Sequence, residues 1–111
     1  MGDHLWGKVR NRWSATDVGT SSGVTVTKAA PADTARHYAC MGIQCSGDAA
    51  ALVTIESPAA TVIYRKRFAA AFNFSESFAL GAKQGAQGAA ILVKISASTS
   101  NCEANIDGVT I

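Results

Sequence analysis

Four side chains of this sequence carry the donor chemistry of a zinc site: His37, Cys40, Cys45 and Cys102. Imidazole and thiolate are the ligands that zinc takes, usually four of them in a tetrahedron. Their spacing argues against convergence. Read as one extended segment, residues 34–45 put His37 and Cys45 on one face and Cys40 on the other, so ligands from a single strand would point apart. The same alternation keeps Cys40 and Cys45, five positions apart, from pairing without a turn between them, and three cysteines are an odd number for a disulfide framework. The expectation is reduced core thiols and a rim histidine, with no metal and no cofactor.

A nucleophile-histidine-acid set would need His4 or His37, and neither stands beside a recognisable nucleophile motif. Glu56, Glu76, Glu103 and the five aspartates stand in no context that marks a pair for glycoside hydrolysis. The glycine-rich stretch 81–89 lacks the Lys-Ser/Thr pair of a phosphate-cradling loop, and reads instead as a mobile loop or a lip that needs close backbone approach. No enzyme is expected. Trp6, Trp13, Tyr38 and Tyr64 are the residues that could stack on a sugar ring. Tyr64 shares its parity with Phe68 and Phe72 and is therefore assigned to the core, which leaves Trp6 and Trp13 as contact residues.

These side chains must be held by strands. In Val62-Ile63-Tyr64-Arg65-Lys66-Arg67-Phe68 and Ile91-Leu92-Val93-Lys94-Ile95-Ser96-Ala97 the apolar period is near two, which puts one face in a core and the other in water. Val24-Thr25-Val26-Thr27, residues 34–45 and Ala51-Leu52-Val53-Thr54-Ile55-Glu56 read as further strands, separated by Ala30-Pro31-Ala32-Asp33, Ser46-Gly47-Asp48 and Ser57-Pro58. Phe68, Phe72, Phe74 and Phe78 all share even parity, so residues 68–78 read as one strand burying four rings. Residues 102–107 follow the turn at 98–101, with a bulge expected at Asp107-Gly108 before a last strand placed inside a sheet. Seven or eight short strands with turns at intervals of about ten residues predict an all-β, single-domain antiparallel β-sandwich of jelly-roll type over residues 24–111.

Residues 1–23 differ in texture: two tryptophans, the cations Lys8, Arg10 and Arg12, then a polar run to Gly23. They read as an N-terminal arm and linker. Its alternating Val9, Asn11 and Trp13 would let it become a strand if something receives it, on its own domain or on a neighbouring subunit. The net charge of +2, with cations clustered only locally, gives no nucleic-acid footprint. No apolar run reaches the ~18 residues of a membrane span, and no hydrophobic signal core opens the chain. Trp6 stands where a myristoylation signal needs Ser or Thr, and Asn73-Phe74-Ser75 is a glycosylation sequon in form only. Only 16% of the residues are charged against 48% hydrophobic, a mild surface suited to contact with protein.

With the strands placed, residues 58–72, from Pro58-Ala59-Ala60-Thr61 to Ala69-Ala70-Ala71-Phe72, and residues 92–106, from Leu92-Val93-Lys94-Ile95 to Ala104-Asn105-Ile106, resemble the C-terminal half of small β-sandwich capsid decoration or cement proteins of tailed bacteriophages. That resemblance implies a virion structural protein, made in the host cytoplasm, on the outer surface of a capsid. It implies a homo-oligomer, a trimer favoured, whose partner is the major capsid protein. It also casts Trp6, Lys8, Arg10, Arg12 and Trp13 as the partner-binding set, the tryptophans burying apolar area and the cations pairing with acidic groups on the shell. A tail-associated or carbohydrate-binding sandwich is the alternative.

Overall fold

In a computed structural model, which describes residues 12–20, 23–97 and 101–111, the chain forms eight β-strands and, among those residues, no helix. They are β1 (Arg12–Gly19), β2 (Gly23–Lys28), β3 (Tyr38–Gly47), β4 (Ala51–Glu56), β5 (Val62–Phe68), β6 (Phe72–Ser77), β7 (Ile91–Ser96) and β8 (Cys102–Thr110). One four-stranded sheet has the order β1-β8-β3-β6 and the other β2-β7-β4-β5, every pairing antiparallel. The pairs β1–β8, β2–β7, β3–β6 and β4–β5 nest inside one another along the chain, which is the connectivity of a jelly roll. The fold is therefore the antiparallel β-sandwich that the alternating pattern predicts.

Alternation builds the interior. Val24, Val26, Val53, Ile55, Ile91, Val93 and Ile95 from one sheet meet Cys40, Ile43, Cys45, Cys102, Ala104 and Ile106 from the other. Ile43, Ile55, Ile91, Ile95 and Ile106 are almost wholly sealed from solvent, each burial worth about 1.5–3 kcal/mol. Outward positions of the first sheet run Thr16, Asn105, Gln44 and Ser75 across four paired strands, a polar row on one pleat.

Three expectations give way to tertiary pairing. Arg12–Gly19 is not arm or linker: it is β1, paired residue for residue with β8 from Arg12 opposite Val109 to Gly19 opposite Cys102. The sandwich thus includes Arg12–Gly19 as well as the residues from 24 onward, because β8 offers an open edge and the alternate residues Trp13 and Ala15 have a core to enter. Residues 68–78 are two strands, since the chain turns at 69–71 and crosses from one sheet to the other. The phenylalanines still meet: Phe68 stacks on Phe72 at 4.3 Å and 9°, and Phe74 lies 4.9 Å from Phe68. The bulge opposite Asp107 and Gly108 sits on the partner strand, between Cys40 and Gly42 of β3.

The loop at 81–89 is stitched down. Gln84 bridges Ala39, the Cys40 N–H donates to the Lys83 carbonyl at 2.9 Å, and the Gly85 N–H donates to the Tyr38 carbonyl at 2.8 Å. Close approach explains the glycine at 85, where a Cβ would run into Ser57 Oγ. Gly81 and Gly88 take positive φ, 86° and 71°, at the loop's turns.

Candidate functional site

The bulge at Met41 decides the cysteine geometry. One extra residue reverses the parity of everything beyond it, so Cys40 and Cys45 face the same core and not opposite faces of the strand. The alternation argument from sequence fails here, though its outcome of buried thiols stands. Burial pushes the Cys40 thiol up to about 12, its bond to the Gly42 carbonyl opposing that shift and the Asp107 charge adding to it. Burial also pushes Cys45 up to about 12, with Cys102 and Cys40 adding to the effect. A thiol that keeps its proton is a poor nucleophile and a poor ligand. Among the described residues no group of three or more His, Cys, Asp and Glu side chains is placed to hold a metal ion.

Both raised values fix a sign for pH. Unfolded thiols release their protons near pH 8.5 to 9, whereas the folded ones hold them to about 12. Stability is thus complete below pH 8.5 and falls as pH rises from 9 towards 12. The expected result is a urea midpoint constant from pH 7 to 8.5 and declining steadily above 9. Cys40 and Cys45 should react with a disulfide reagent at neutral pH only after denaturant is added. Rapid labelling of the native protein at either position would contradict this burial.

The other groups with chemical potential are built into the frame. His37 Nδ1 lies 3.1 Å from the Gly85 carbonyl, so the ring tethers the 81–89 loop. Glu56, 6% exposed, accepts from the Ala60 N–H at 2.7 Å and from Thr54 Oγ1 at 3.1 Å, with Lys94 Nζ at 3.9 Å. That carboxylate holds Ala60 at a φ of 75°, a conformation costly without such a partner. Ser57 Oγ donates to the Ala90 carbonyl at 2.6 Å and accepts from the Ala86 N–H at 3.3 Å.

Of the contact residues named from sequence, Trp6, Lys8 and Arg10 lie outside the described residues. Arg12 is exposed at the start of β1. Trp13 is half-buried in its own domain, where its ring meets Tyr38 edge-on at 5.2 Å and covers Gly108. Its indole Nε1 is buried without a hydrogen-bond partner. Trp13 therefore caps the core, and the expectation that it reaches a neighbouring subunit does not match this placement.

Tyr64 lies half-buried at the open long edge between β5 and β6, packed against the core to which its parity assigns it. Its hydroxyl donates to Glu76 Oε1, tying the two sheets together; burial first, then the bond and charge of Glu76, raise its pKa. Phe78 meets Tyr64 edge-on at 5.4 Å. Lys83 Nζ stands 5.9 Å from the Tyr64 ring and 6.0 Å from Phe78, and Lys66 Nζ 5.6 Å from Phe74, within cation–π range. The result is a seam of half-buried rings under two ammonium groups, beside the unpaired edge of β5 with Arg65 and Arg67. Shared parity groups these rings in the sequence, but neither their division between the two sheets nor the lysines over them could be read there.

No family model matches the chain, and no curated protein matches it. Among solved structures it is similar to the coat protein of Tobacco streak virus, at 11% identity over 90% of this chain and 87% of that one, with a TM-score of 0.38.

Proposed function

We propose that this protein is a non-enzymatic virion structural protein that binds the outer surface of a phage capsid and stabilises contacts between major capsid subunits, as a homo-oligomer. The observation that carries the reading is the use made of the reactive side chains: His37, Glu56, Ser57 and the thiols of Cys40 and Cys45 are all engaged in holding the jelly roll. Jelly rolls recur in capsid proteins and lectins, where a rigid slab presents contact surfaces. Here the half-buried rings of the β5–β6 seam and the basic residues around Arg12 supply such surfaces. Many copies on one shell make a weak single contact effective.

The test is co-sedimentation of the purified protein with capsids lacking it, followed by electron microscopy of the decorated particles. Bound protein is expected as added density on the outer face, and capsids of raised heat resistance. Failure to sediment with capsids at micromolar concentration would end this reading. The second reading, a carbohydrate-binding module, is favoured by one feature: a concavity of about 590 Å³ on the outer face of the β1-β8-β3-β6 sheet, lined by Thr16, Gln44, Ser46, Asn73, Ser75 and Asn105. Amides and hydroxyls of this kind bond sugar hydroxyls well. A glycan array separates the two, because the capsid reading expects no bound sugar.

A further inference from the structure

At the end of the slab where β1 begins and β8 finishes, a concavity of about 490 Å³ gathers Arg12, Lys28, Arg36 and Asp33 around the rings of Trp13 and Tyr38. The three cations come from β1, the last residue of β2 and the loop before β3, so nothing in the sequence groups them. Against them stands one carboxylate, Asp33, leaving two positive charges in excess. Asp33 lies 3.5 Å from Arg36 Nε, and both side chains are largely exposed, so this pair holds Arg36 only weakly and leaves other guanidinium N–H groups open. Lys28 is better placed: its Nζ stands 5.8 Å from the Tyr38 ring, and the Tyr38 hydroxyl is itself anchored on the Ala29 carbonyl. The floor is thus aromatic and fixed, while the rim is cationic.

We propose that this concavity receives a carboxylate side chain, Asp or Glu, carried on a loop of the partner protein, and that Lys28 and Arg36 join Arg12 as the residues that grip it. The identity of that partner as a capsid subunit rests on the reading above; the chemistry of the pocket does not. Arginine and lysine around an aromatic floor suit an acidic group with apolar neighbours: the guanidinium forms two parallel hydrogen bonds to a carboxylate, and the rings cover the methylenes beside it.

The experiment uses the full chain with Trp6→Phe, which leaves Trp13 as the single tryptophan at the pocket wall. Hexaglutamate is titrated in low salt while Trp13 emission is followed, with inorganic phosphate in parallel. A saturable change is expected with hexaglutamate. It should weaken at least about tenfold in the double variant Lys28→Gln, Arg36→Gln, and stay within about twofold in Arg65→Gln, Arg67→Gln, which removes the same charge from the β5 edge. Equal losses in both double variants, no saturable change, or phosphate binding as tightly as hexaglutamate would each overturn the proposal. Circular dichroism of both variants confirms that they fold, and Arg36→Gln alone, on an exposed loop, keeps the test open if the double variant does not. Hexaglutamate binding without capsid binding would leave the pocket standing and remove the capsid reading alone.

Discussion

Deleting residues 1–22 unfolds this protein, whereas deleting residues 1–11 leaves it folded; that is the expected outcome of comparing the two truncations by circular dichroism and urea unfolding. The longer deletion removes all of β1. Eight cross-strand pairs with β8 disappear, each worth about 0.2–1 kcal/mol. The Trp13 ring leaves Tyr38 and Gly108, a loss on the order of 3–5 kcal/mol for a large aromatic. Together these approach the ~5–15 kcal/mol that holds a typical domain together. The exposed edge of β8 would then invite aggregation. The shorter deletion ends before Arg12 and touches none of these contacts. It is therefore the truncation that tests whether Trp6, Lys8 and Arg10 bind a capsid. A cooperative transition of unchanged midpoint for the 1–22 deletion would show that β1 contributes nothing to the core.

The second large effect is at Gly108. It faces Cys40 at the β3 bulge, and a Cβ there would drive into the Ala39 carbonyl oxygen and come within 2.7 Å of Trp13 Cζ2. A backbone carbonyl in the middle of a sheet cannot swing aside as a flexible side chain does. Gly108→Ala should therefore force β3 and β8 apart and cost about 3 kcal/mol, the upper range for overpacking. Gly42→Ala, on the other side of the same bulge, is the internal control. Its Cβ would meet Asp107 Oδ1 at 3.1 Å and the Glu76 carbonyl oxygen at 3.3 Å, contacts that small shifts relieve, so the expected cost is below about 1 kcal/mol. Chemical denaturation of both variants checks the ranking. Equal costs at the two positions would mean that the bulge yields as a unit.

Both predictions concern the places where local pattern and final structure part company. Residues 91–96 were legible at once, because alternation in a strand half-buried by a packed sheet is the same whichever strands flank it. Trp13 was legible as a residue too apolar to leave in water, but its destination was not, since β8 receives it from ninety-odd positions away in sequence. Three of the four phenylalanines do cluster, but for another reason: a shared parity suggested one strand, while a turn at 69–71 folds Phe68 onto Phe72 and Phe74, and Phe78 meets Tyr64 instead. The candidate contact residues were legible only as far as they were consecutive. Lys28 and Arg36 carried no signal at all, being isolated cations whose neighbourhood exists only after the β2 end and the 29–36 loop close over Tyr38.

The amino-acid order by itself determined most of the strands, though not β1 or the break between β5 and β6, together with the two-sided core they share, because each of these depends on residues within a few positions of one another. Only the tertiary structure decided which strand lies beside which, that Cys40 and Cys45 face one interior, and that Arg12, Lys28 and Arg36 surround one hollow. The reason is geometric. A period of two records that a residue points to one side, but a single inserted residue at Met41 reverses the side, and neither the insertion nor the partner strand that fixes it leaves a mark in the local pattern.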